Sequence, residues 1–294
     1  MFLALVHAPL GRAAEAGFID APDGVPLCVY ETGRTDGPTL LFIHGFSQSY
    51  AVFKRQFESD LARDFRLIGF DLRGHGCSGK PWQAAAYTSS AIWAADVRAV
   101  MTAKHVTRPV IVGWSYGGYI IADYVRAYGT AEVAGLVLIG SNGGMLPPVT
   151  DPDALKKQAA GRAAARLTSP DIEHGIADGH AFVTFMSFKP LPADISEIMF
   201  VTNQMLPAYA RRAMADRNLQ NDDVAQKFAV PTWLVIGGED HSQSSTAMEK
   251  LAASMPNAKL SVYPEAGHAT FAEAPLRFNA ELRTFATTAF GSPH

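Results

Sequence analysis

The stretch PVIVGWSYGGYIIADYV, Pro109 to Val125, decides the fold. Its first half is a β-branched run, Val110, Ile111 and Val112, the composition of a buried strand. From Tyr119 its apolar spacing is helical. At the junction stands one serine, Ser115, with Gly113, Gly117 and Gly118 around it. A plain turn explains the glycines. A serine that must stand exposed on a sharp strand-to-helix turn explains both the glycines and the serine, because side chains at the flanking positions would crowd the turn. That second reading requires a strand before, a helix after, and chemical partners for the serine further along the chain.

The surrounding sequence alternates in the required way. Leu27–Thr32, Thr39–Ile43, Arg66–Phe70, Val133–Ile139, Thr232–Ile236 and Lys259–Tyr263 read as strands. Val52–Ala62, Ala91–Lys104, Ala247–Met255 and Leu276–Phe290 read as helices. Apolar strands separated by helices predict an α/β protein with a mostly parallel sheet covered on both faces. Between Gly140 and Val230 no strand pattern occurs, and so long a connection is not a plain loop. It reads as a helical insert over the C-terminal ends of the strands. The expected organisation is a leader or flexible N-terminus at 1–16, an α/β core at 17–144 and 230–294, and a helical cap at 145–229.

Composition narrows the function classes. The 294 residues, 48% hydrophobic, suffice for one large core with an insert. The net charge of −3 and the lack of a basic run exclude nucleic acid as the expected partner. No apolar run reaches the roughly 18 residues of a membrane span. The N-terminal MFLALVHAPLGRAAEAG has an apolar patch but no basic n-region, and His7 and Arg12 interrupt it. A cytoplasmic protein is therefore expected, or a secreted or periplasmic one if this segment is a truncated signal. Cys28 and Cys77 lack C-x-x-C spacing, so no thiolate metal site is expected. A disulfide between them is allowed but not implied, and a reducing compartment is the default.

A serine hydroxyl is a poor nucleophile without a base, and the base needs an orienting acid. His268 is the candidate base, in the loop PEAGHATFAE after a strand, where an α/β sheet places its site. Asp240, in TWLVIGGED, is the candidate acid, with Glu239 beside it as the fallback. A developing oxyanion needs two backbone donors, and the N–H groups of Tyr116 and Phe46 are the candidates. Substrate contacts are expected from Trp114 and from Phe182, Phe185 and Met186, which fall at i, i+3 and i+4 of one helical turn. No metal and no cofactor is needed by such a set.

The chain carries five motifs in order: HGF (His44–Phe46), DLRGHGCSG (Asp71–Gly79), GWSYGG (Gly113–Gly118), GGED (Gly237–Asp240) and GHATFAEAP (Gly267–Pro275). With them the chain resembles the α/β-hydrolases over roughly Gly17 to Phe290. The resemblance implies about eight strands, a nucleophile elbow at Ser115 and a cap inserted after the sixth strand. It also implies that Asp71, Arg73 and His75 brace loops near the site. A serine at the elbow sets the chain apart from relatives with a nucleophilic aspartate, and the missing HGGG sets it apart from the hormone-sensitive-lipase-like branch. It departs from many relatives in having no proline soon after the acid; the next is Pro256. Carboxylesterases, lactonases, cofactor-free perhydrolases and carbon–carbon bond hydrolases all remain open. The expected function is a serine hydrolase cleaving a small, mainly apolar carboxylic ester through an acyl-enzyme. The rival class is a small-molecule receptor with vestigial hydrolysis. The sequence leaves the oligomeric state open.

Overall fold

A computed structural model of the protein describes residues 15–148, 150, 152–153, 155–156 and 171–291. Eight strands form one sheet: β1 Glu15–Asp20, β2 Pro26–Gly33, β3 Thr39–Ile43, β4 Arg66–Phe70, β5 Val110–Trp114, β6 Gly135–Ile139, β7 Thr232–Gly237 and β8 Ala258–Tyr263. Their order is β1-β2-β4-β3-β5-β6-β7-β8. Strand β2 runs against both neighbours, and every other pairing is parallel. This is the α/β-hydrolase sheet that the motifs implied.

The main helices are α1 Ser90–Ala103, α2 Tyr116–Tyr128, α3 Ile172–Phe185, α4 Ala193–Met205, α5 Ala208–Ala215, α6 Ser245–Ser254 and α7 Pro275–Gly291. Strand side chains alternate between faces, so the sheet divides the core in two. Leu41, Ile43, Ile68 and Ile111 pack with Trp93, Val97 and Val100 of α1 and Ile120 and Ile121 of α2. Leu40, Phe42, Leu67, Val110 and Val112 pack with Phe278, Leu282 and Ala286 of α7 on the other face. Strands β3, β5 and β6 are buried along their whole length, which is why they read as unbroken apolar runs. Helices α3, α4 and α5 lie between β6 and β7, after the sixth strand.

Three differences from the sequence reading have physical causes. Strand β1 was not expected, and it takes Glu15 and Ala16 out of the supposed leader; residues 1–14 lie outside the described residues. The helix expected over Val52–Ala62 is three short turns, Tyr50–Phe53, Lys54–Phe57 and Leu61–Asp64. Ser59 separates the last two: its hydroxyl donates to the Gln56 carbonyl at 2.7 Å and accepts from the Leu61 N–H at 3.2 Å, replacing helical bonds. Finally, Cys28 and Cys77 form a disulfide, with Cα atoms 5.8 Å apart. The antiparallel pairing of β2 with β4 carries the loop after β4 back over Cys28, a meeting that a 49-residue separation hides in the sequence. Among the described residues this is also where potential metal ligands gather, Cys28, Cys77 and Asp71, and the bond consumes both sulfurs.

Candidate active site

Ser115 lies between β5 and α2 with φ +52° and ψ −112°, a backbone conformation that costs energy in any residue with a Cβ. The turn closes because its flanks are bare: a Cβ on Gly117 would lie 2.3 Å from the Ile43 carbonyl oxygen. Ser115 keeps some exposure while Trp114 and Tyr116 beside it are buried. The loop after β3 runs directly against it, since a Cβ on Gly45 would come within 3.2 Å of the Ser115 Cβ.

The candidate acid and the candidate base lie together. His268 Nδ1 is 2.9 Å from Asp240 Oδ2, and both side chains are enclosed. Ser242, two residues after the acid, completes the cluster. Its N–H and hydroxyl each donate to Asp240 Oδ1 at 2.7 Å, and its oxygen is 2.8 Å from His268 Nδ1. A proton on Nδ1 therefore has two acceptors, and Nε2 keeps its lone pair. Burial pushes the Asp240 carboxyl up, but His268 and Ser242 outweigh it and hold the group below the ordinary carboxylate value. Glu239, the fallback, is exposed, and its N–H is bonded to the Ala266 carbonyl.

Among the described residues neither the Phe46 N–H nor the Tyr116 N–H has an acceptor, so both are free to donate to a ligand. Buried histidines hold the loop that carries Phe46. The Leu72 N–H donates to His44 Nε2 at 3.0 Å, and the Ser47 N–H to His75 Nε2 at 3.1 Å. Their Nδ1–H groups donate to the carbonyls of Gly45 and Arg73. Both rings must be neutral to accept in this way, and burial lowers both below the ordinary value. Asp71 takes the N–H groups of Tyr50 and Cys77, and Arg73 pairs with Asp96 and Asp23. These are bracing contacts, in line with what the resemblance implied.

A pH effect on stability follows. The unfolded chain takes up protons at these two histidines near their ordinary value of 6.5, while the folded chain refuses them until lower pH. Stability is therefore lost as pH falls below that value. Asp123, pushed up to about 6 by burial despite Arg217, has the opposite sign and offsets part of the loss. Tm should fall between pH 7.5 and about 5, and His75→Gln should make the fall shallower. A Tm flat across that range would contradict the assignment of buried neutral rings.

The expected substrate contacts divide. Trp114 is 1% exposed, and its Nε1–H donates to the His268 carbonyl at 3.0 Å, so the structure gives it a bracing position rather than a lining one. Met186 is buried, and its carbonyl takes the Ala269 N–H at 2.8 Å. Phe182 is half-buried against the core, while Phe185 is exposed with its ring 6.0 Å from that of His241, next to the acid. Sequence reasoning missed the contacts that seat the α3–α5 segment. Asn203 Nδ2 donates to Ser47 Oγ at 2.7 Å, and Gln48 Nε2 to the Met199 carbonyl at 3.1 Å. Glu273 takes the N–H groups of Gly267 and Phe188, each at 2.8 Å. Only Ser242 had a local signal, the short Asp-x-Ser spacing of a side-chain-capped turn.

Comparison with known proteins agrees with this geometry. A family model described as "alpha/beta hydrolase fold" matches residues 38–275. A bifunctional esterase/perhydrolase of Acinetobacter calcoaceticus is 28% identical, the match covering 92% of this chain and 99% of the relative. A non-heme haloperoxidase of Rhodococcus erythropolis is also 28% identical, over 91% of this chain and 98% of the relative. The crystal structure of an esterase, RhEst1, from Rhodococcus sp. ECU1013 superposes with a TM-score of 0.80 at 31% identity, covering 93% of this chain and 99% of that one. With more than half its length matched by the family model and its sheet in the family's order, the chain belongs to the α/β-hydrolases and is an enzyme of the hydrolase class.

Proposed function

We propose that the protein is a serine hydrolase that cleaves a small carboxylic ester through an acyl-enzyme. Ser115 Oγ attacks the ester carbonyl carbon as His268 Nε2 takes its proton. Asp240 orients the ring and stabilises its cation. The N–H groups of Phe46 and Tyr116, the latter at the N-terminus of α2, receive the oxyanion. His268 then gives its proton to the leaving alcohol. Water attacks the acyl carbon with His268 again as base, and Ser115 is released. The observation that carries the reading is the enclosed His268–Asp240 hydrogen bond facing away from a ring nitrogen left free to act as base. Residues 145–229 act in this reading as a cap; 149, 151, 154 and 157–170 of them lie outside the described residues. Phe185, exposed and with its ring near that of His241 beside Asp240, is the cap side chain taken to meet an apolar substrate portion.

No helix among the described residues is long and apolar enough to cross a membrane. The Cys28–Cys77 bond favours an oxidising compartment over the reducing one expected from the sequence.

Turnover separates enzyme from receptor. With a panel of p-nitrophenyl esters, nitrophenol release should continue linearly through many equivalents per enzyme. Release that stops at one equivalent for every ester would mean a receptor-like protein that acylates and stalls.

A further inference from the structure

Arg211 of α5 is a half-buried cation without a paired anion. Its guanidinium carbon lies 5.4 Å from the centre of the Phe46 ring. Its Nη2 donates to the Asn203 carbonyl at 2.8 Å, while Nε is buried with no acceptor. The fully buried arginines of this half of the molecule are answered by carboxylates. Arg73 meets Asp96 and Asp23, and Arg217 meets Asp123. Among the described residues no acid pairs with Arg211, and burial alone pulls its guanidinium below the ordinary arginine value. Arg108 also has unpartnered nitrogens, but it precedes β5, at the opposite end of the sheet from the site.

The position is what gives this significance. Asn203, which accepts from Arg211, holds Ser47 of the loop after β3, and the Phe46 ring lies 6.2 Å from the Tyr116 ring. The cation thus stands against the ring of Phe46, whose N–H is one proposed oxyanion donor, and that ring in turn lies beside Tyr116, which supplies the other. A half-buried charge whose Nε is buried without an acceptor is costly, and a guanidinium fork is the group best suited to take a carboxylate through two parallel N–H bonds.

We propose that Arg211 is a substrate-recognition residue that binds a carboxylate carried by the ester, set back from the carbonyl that is cleaved. The inference rests on the proposed serine hydrolase and deepens it. The preferred substrates are then half-esters of dicarboxylic acids, or esters of hydroxy acids, whose connecting chain is apolar.

The test compares charged esters with neutral isosteres. In the first arm the carboxylate is on the acyl side, as p-nitrophenyl hemiglutarate against p-nitrophenyl pentanoate. In the second it is on the alcohol side, as the acetate ester of 4-hydroxybutyrate against butyl acetate. On one arm the wild type should favour the charged ester in kcat/KM by about tenfold or more. Arg211→Gln should lower that ratio by a similar factor, and Arg211→Lys should restore part of it. Taking the ratio within each preparation cancels any loss of folded protein. If Arg211→Gln does not fold, inhibition of the wild type decides, and glutarate should bind at least about tenfold tighter than its diamide. Equal or better use of the neutral esters on both arms, an unmoved ratio in Arg211→Gln, or equal inhibition by acid and diamide would overturn the proposal. A protein that turned over none of these esters would instead overturn the hydrolase reading beneath it.

Discussion

Ser115→Ala lowers kcat on a p-nitrophenyl ester by at least about 10³-fold, and His268→Ala costs about as much. The double variant is hardly worse than either single one. The non-additivity is the informative part. If Ser115 Oγ is the attacking atom and His268 the group that takes its proton, removing either abolishes the same step. What survives is catalysis by the two free N–H groups of Phe46 and Tyr116 and by binding. Independent effects that multiplied in the double variant would mean the two residues do not act in one step. The circular dichroism of Ser115→Ala should be unchanged. Its Tm should be equal or higher, because an alanine at φ +52° no longer has to satisfy a hydroxyl there.

Asp240→Asn should lower kcat by up to about 10⁴-fold, while Glu239→Gln should be mild. The structure gives the reason. The Asp240 carboxylate accepts from Ser242 through one oxygen and faces His268 Nδ1 with the other. An amide there can present its NH₂ to Nδ1, which draws the imidazole proton to Nε2. The ring then has a donor where it needs an acceptor for the Ser115 proton. Glu239 is exposed, and no such exchange is open to it. A crippled Glu239→Gln beside a nearly silent Asp240→Asn would reverse the assignment of the acid.

The fold was legible where burial on both faces made the code simple. TLLFI and RLIGF were read with their observed bounds, because strands enclosed by helices show as continuous apolar runs. The pairing of Asp240 with His268 was also legible, since both follow strands whose C-terminal ends meet at one side of the sheet. Strand β1 was not. It is an edge strand with Phe18 66% exposed, so no buried face stamps a pattern on it. The Cys28–Cys77 bond and the Asn203–Ser47 contact join residues far apart in the chain, and no local periodicity reports such meetings. Trp114 misled for a related reason. Its place beside Ser115 suggested contact with substrate, but β5 turns its indole inward onto Phe271 and the His268 carbonyl. Arg211 carried no signal at all, since an arginine on a helix reads as surface until the absence of a paired acid can be seen.

The central claim is that Ser115 is the nucleophile, and covalent labelling tests it most directly. A fluorophosphonate probe added to the native protein should attach to one peptide. Mass spectrometry should place the adduct on Ser115, with labelling abolished in Ser115→Ala and strongly slowed in His268→Ala. An adduct on any other serine, or undiminished labelling of Ser115→Ala, would contradict it.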